Sequence, residues 1–218
     1  ITTLQQAATN AAQATSILQT ADGGASNISD ILARMKSLAS ESASGTVADS
    51  SRAYINSEFT QLKGEIDSIA TGTRYSSQSL LDGSSVFSSG VAVLVGSTSA
   101  DTITITLTNL TASSLGVTSL DVSTLSAATS AMSALDSAID SVSSARAEIG
   151  AQESRFNFSA DSISTQTQNL QSANSAIKDV DIAAEQATLS SAEVKTQAAV
   201  SAETAANQMP QYLLKLLG

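Results

Sequence analysis

Alternating steps of three and four residues from Leu4 land on Leu4, Ala7, Ala11, Ala14, Leu18, Ala21, Ala25, Ile28, Leu32, Met35 and Ala39. Every stop is apolar. Such spacing keeps side chains on one side of an α-helix with coiled-coil periodicity, so the chain opens with a long helix expected over about residues 3–43. About 40 residues at 1.5 Å each give a length of about 60 Å. The many alanines allow a neighbouring backbone to come close. Gly23-Gly24 interrupts helix propensity but not the register, which predicts local softness rather than a break. Ser44-Gly45 then ends the helix, with Gly45 as a left-handed cap.

A second helix is expected over about 48–70, with Ile55, Phe59, Leu62, Ile66 and Ile69 as its stripe and Gly72 closing it. The period then changes. Val91-Ala92-Val93-Leu94-Val95-Gly96 and Thr102-Ile103-Thr104-Ile105-Thr106-Leu107 flank a short polar turn, and the second run alternates with period two. That predicts a β-hairpin within a region of about 84–124, of which 111–124 reads as loop.

Helix returns over about 127–178. Steps of seven give Leu135, Val142, Ile149, Phe156, Ile163, Leu170 and Ile177. The companion positions Met132, Ile139, Arg146, Glu153, Ala160, Thr167 and Asn174 turn polar partway along. The last segment is Ala-rich and amphipathic, with Val194, Ala198, Ala205, Met209, Tyr212 and Leu216 on one stripe. Pro210 is expected to kink it or to start a final turn. The fold class predicted is mainly α: an elongated rod of long antiparallel coiled-coil-like helices with one small β-hairpin region. A narrow rod buries little core per residue, so assembly is expected to supply part of its stability.

Composition narrows the chemistry. The chain has no Cys, His or Trp, which leaves no thiol nucleophile, imidazole base or His-ligated metal. No cofactor is expected. A carboxylate pair remains formally open. Asp179 and Asp181 are two apart and would not share a helix face, so they read as helix-start acids. Asp82-Gly83 reads as a turn. A formal charge of -10 argues against nucleic acid and against anionic membrane surfaces. Charged residues are only 14%, against about 25% in ordinary soluble domains. A surface of Ser, Thr, Asn and Gln repels neighbours weakly and suits packing against copies of itself. No apolar run approaches the ~20 residues of a transmembrane helix. A helical pattern already running by Leu4, without an initial Met, reads as a chain whose N-terminus has been removed.

The residues resemble bacterial flagellin from end to end. The segments that carry the resemblance are Thr20-Ala21-Asp22-Gly23-Gly24-Ala25, Leu32-Ala33-Arg34-Met35-Lys36-Ser37-Leu38-Ala39, Asn56-Ser57-Glu58-Phe59, Thr102-Ile103-Thr104-Ile105, Ser154-Arg155-Phe156-Asn157 and Ala205-Ala206-Asn207-Gln208-Met209-Pro210-Gln211. The resemblance implies a structural, non-enzymatic, secreted subunit of the extracellular flagellum that self-assembles for motility. It implies a rod domain over 1–178 and, over 179–218, the C-terminal helix of an inner-tube domain whose N-terminal partner is missing. Without that partner, poor assembly is expected. Large variable outer domains are absent.

By the same resemblance, Val194, Ala198, Ala205, Met209, Tyr212, Leu213 and Leu216 form a polymerisation face that an export chaperone covers before secretion. Arg34, Leu38 and Glu58 stand at positions like those that touch a Toll-like innate-immune receptor. Solvated or subunit-contact charges and ordinary packing are the plainer readings of those three. Implied partners are other copies of the chain, the chaperone, and the filament cap and hook-junction proteins. Competing readings are a hook–filament junction protein, or a surface adhesin or glycan binder on a helical stalk.

Overall fold

The computed structural model describes residues 1–178 and 182–217, with side chains at 178, 182, 183, 212, 213, 216 and 217 outside the description. Asp179 and Asp181 therefore lie outside the described residues. The chain forms two compact units, residues 1–168 and 169–218. Its main elements are α1 (Thr2–Ser42), α2 (Asp49–Gly72), β1 (Arg74–Tyr75), β2 (Gln78–Ser79), β3 (Val91–Leu94), β4 (Thr102–Ile105), α3 (Leu125–Lys178) and α4 (Ile182–Leu217).

In the first unit, all eleven stops of the α1 pattern are buried, joined by Gly24, Leu38 and Ser42. Leu135, Val142, Ile149, Phe156 and Ile163 of α3 are buried as well. The second buried row of α3 differs from the expected one. It is Ala131, Ala138 and Ala145, with Ala128 extending the Leu135 row, while Met132, Ile139 and Ala160 are only half-buried. Small side chains admit close neighbours, so the alanines take the seam and the bulkier residues flank it. α1 and α3 run antiparallel: Lys36 pairs with Asp136, Asp22 with Arg146, and Leu4 and Ala7 pack with Ile163.

Gly45 does not serve as a left-handed cap. α1 ends instead at Ala43 in a right-handed conformation. Arg52 of α2 satisfies the end of α1 from outside. Its guanidinium donates to the Ser42 carbonyl, the Ser44 carbonyl and the Asp49 carboxylate, each at 2.8 Å. A buried cation at the carbonyl end of a helix is favoured by the helix dipole and by charge-assisted bonds.

The continuous path through Gly23 and Gly24 has two different causes. A Cβ at Gly23 would meet nothing within 4 Å, whereas one at Gly24 would run into the side chains of Thr73 and Leu81. Gly23→Ala is therefore expected to stabilise by about 0.5–1 kcal/mol, the ordinary helix-interior difference. Gly24→Ala is expected to destabilise. Thermal unfolding of both variants checks this, and shifts of the same sign would contradict it.

The stretch 111–124 is loop, as expected, and polar groups of α2 hold it. Asp67 accepts from the Ala112 amide at 2.8 Å, Asn56 accepts from the Val122 amide at 2.9 Å, and Lys63 donates to the Thr118 and Leu120 carbonyls. β3 and β4 pair antiparallel from Val91↔Ile105 to Leu94↔Thr102, as the alternation predicts. The pair β1–β2 was not predicted. Its two turn residues, Ser76 and Ser77, both take positive φ (48° and 70°) without the Asn-Gly signature usual for such turns. Asp82-Gly83 is a turn, with Gly83 at φ 74° and Asp82 accepting from the Ser84 amide.

Candidate functional site

In the second unit, α4 continues through Pro210 to Leu217, with no separate final turn. A side-chain row on one side of it is open to solvent. Val194 is 68% exposed and Met209 65% exposed, and Ala198 and Ala205 between them are exposed too. The side chains of Tyr212, Leu213 and Leu216 lie outside the described residues. A second apolar row escaped the sequence reading. Leu189 and Val200 are each 52% exposed and Leu214 is 73% exposed. At 100° per residue they stand roughly 120–160° around the helix from Val194. The signal was available in the steps of eleven and fourteen residues between them, which return to nearly the same side of a helix. An apolar surface of this kind marks a place where another molecule packs.

In the first unit, Arg34 of α1 and Glu58 of α2 meet at the surface. The Arg34 Nη2–Glu58 Oε1 distance is 2.6 Å, and both side chains are about half exposed. Such a pair contributes at most about 1 kcal/mol to folding and leaves both charges accessible. Leu38 is different. It is 2% exposed and belongs to the core, as ordinary packing requires. The 3-and-4 spacing that generated the α1 seam steps past Leu38, because residues 35, 38, 39 and 42 together face the interior where α2 joins.

Between α1 and α3, Arg146 binds Asp22 through Nε at 2.8 Å and Nη2 at 3.3 Å. Nearby, Glu153 Oε1 is buried with no hydrogen-bond partner. Burial pushes the Glu153 carboxyl above its ordinary value, and the Asp22 carboxylate adds to the push. The folded chain thus holds a proton on Glu153 more tightly than the unfolded chain does. Its stabilising effect is full at acid pH and is lost as pH rises from the ordinary glutamate value through the raised one. Glu153→Gln is expected to raise stability at pH 7 by about 1 kcal/mol and to flatten the pH dependence in that window. Melting curves from pH 4 to 8 measure it; a variant no more stable than the parent at pH 7 would contradict it.

A groove of about 460 Å³ lies between the β3–β4 turn and α3, lined by Ser97, Asp101, Ser159, Ser162 and Gln166 among others. It offers hydroxyls and one carboxylate but no paired base. Among the described residues, no group of three or more Asp or Glu is placed to hold a metal ion. No helix among them is long and apolar enough to cross a membrane.

Residues 1–86 match the bacterial flagellin N-terminal helical region, and residues 132–217 match the bacterial flagellin C-terminal helical region. The chain is 33% identical over 216 residues to a flagellin of Halalkalibacterium halodurans, covering 98% of this chain and 78% of the relative. It is 31% identical over 226 residues to the flagellar filament 30.7 kDa core protein of Treponema maltophilum, covering 98% and 79%. The crystal structure of Bacillus cereus flagellin superposes with a TM-score of 0.64 at 29% identity, covering 76% of this chain and 94% of that one. Neither a junction protein nor an adhesin on a helical stalk gains support from these matches.

Proposed function

The chain belongs to the bacterial flagellin family and is a structural subunit of a flagellar filament, and from that premise we propose that α4 supplies the main contact between copies. The observation that carries this is the exposed row Val194, Ala198, Ala205 and Met209; the resemblance adds Tyr212, Leu213 and Leu216, whose side chains lie outside the described residues. The row costs solubility in an isolated chain and gains its use when a neighbour covers it. Residues 179–218 act as the inner-tube helix and residues 1–178 as the rod domain. Contacts that repeat without closing a ring produce a helical fibre, which is how one patch builds a filament.

Before assembly, the same row is covered by an export chaperone, and the subunit is secreted to the extracellular flagellum. The filament cap and hook-junction proteins occupy the two ends of the polymer. The accessible Arg34–Glu58 pair supports a contact with a Toll-like innate-immune receptor in which Leu38 takes no part. The subunit has no catalytic role.

Electron microscopy tests the assembly reading. Filaments of the full-length protein are depolymerised by heat, and the monomers are added to short filament seeds. Regrowth of tubes of uniform diameter is the expected result. Monomer alone, or amorphous aggregate, would count against it.

A further inference from the structure

The hairpin β3–β4 has two free edges. Its register, continued by the Val95 amide donating to the Asp101 carbonyl at 2.8 Å, turns the backbone groups of Thr102, Thr104 and Thr106 away from β3. Those of Ala92 and Leu94 turn away from β4 for the same reason. Thr102-Ile103-Thr104-Ile105-Thr106-Leu107 is uncharged, free of Pro and rich in β-branched residues. Sequences of that kind pair readily with copies of themselves when an edge is open. Neither strand carries the Lys or Pro that commonly guards an edge.

Side-chain amides stand in for those guards. The Thr106 amide donates to Gln152 Oε1 at 3.1 Å, and Gln152 Nε2 donates to the Thr106 carbonyl at 2.9 Å. These are the two bonds that a neighbouring strand would make to that residue. Gln152 comes from α3. On the opposite edge, Asn10 of α1 donates from Nδ2 to the Leu94 carbonyl at 3.1 Å. Each helix beside the hairpin thus sends one carboxamide to one edge.

We propose that Gln152 and Asn10 act as surrogate strands that close the hairpin edges to other copies of this chain, so that copies associate through helices and not through strands. This goes beyond the filament reading and does not depend on it, because the test is made on the unassembled chain.

Gln152→Ala is expected to leave the helical far-UV signal unchanged while the Thr106 amide exchanges about five- to tenfold faster, the loss of one ordinary hydrogen bond. The variant is expected to form thioflavin-binding oligomers at concentrations where the parent sediments as a monomer. Adding Thr104→Lys, which places a charge on the exposed strand, restores the monomer. Asn10→Ala repeats the test on the other edge should Gln152→Ala fail to fold. Monomeric behaviour of Gln152→Ala and Asn10→Ala at every concentration would overturn the proposal. So would Gln152→Ala oligomers that Thr104→Lys does not dissolve.

Discussion

Replacing Val194 and Met209 together with aspartate is expected to stop filament growth while leaving the folding of residues 1–168 unchanged. Both side chains are about two-thirds exposed, so neither contributes much to folding of the isolated chain. An interface that buries them must strip water from two carboxylates, at several kcal/mol for each ion. Repeated at every subunit, such a cost outweighs the gain from the remaining alanines. Seeded elongation followed by light scattering measures the effect. The expected signal is at least a hundredfold slower than the parent, with an unchanged melting curve. Elongation within a factor of about two would remove this row from the interface, since 1.4 kcal/mol already corresponds to tenfold.

Phe156→Ala is expected to be the costliest single change within the first unit, at about 3–5 kcal/mol. Phe156 is fully buried in the large-residue row of α3. It lies between Ile149 and Ile163, beside the stretch where Arg146 and Glu153 bring polar groups to the seam. A well-packed interior relaxes only partly around such a vacancy, so the cavity adds to the lost burial. The loss shows as a lower denaturant midpoint with an unchanged slope. Phe158, two residues on, is the control. It is 75% exposed, and Phe158→Ala is expected to change stability by less than about 0.5 kcal/mol. Equal effects at 156 and 158 would contradict the packing described.

The long helices and their buried rows were legible in the sequence because a single period governs many residues. Eleven consecutive stops in α1 leave little room for another register, and five of the seven large residues expected on the α3 row are buried, while Leu170 and Ile177 are exposed. The β3–β4 hairpin was legible because alternation with period two stands out against helical surroundings. Three features were not legible, each for a different reason. Arg52 reads as a surface charge until the last carbonyls of α1 are placed beside it. The alanine row of α3 cannot be told from its bulkier flank until the closeness of α1 is known. The turn at Ser76-Ser77 requires left-handed backbone from residues that seldom adopt it, so its sequence carries no turn signature.

The row proposed as the assembly face was legible in part. Val194, Ala198, Ala205 and Met209 follow from periodicity alone and are exposed as a surface for a neighbour requires. The opposite row of Leu189, Val200 and Leu214 was hidden by its wider spacing. Two apolar rows on one helix call for two neighbours, and a helix apolar around much of its circumference is stable only when surrounded. Leu38 lies off the three-and-four seam of α1 and is core all the same.

The chain contains no native cysteine, so a single Val194→Cys substitution gives an unambiguous reporter of whether α4 is covered by neighbouring copies. Its reaction with a thiol reagent is measured in full-length monomers and again in filaments grown from them. Rapid labelling of the monomer is expected, and labelling at least a hundredfold slower in the filament. Equal rates in the two states would contradict it.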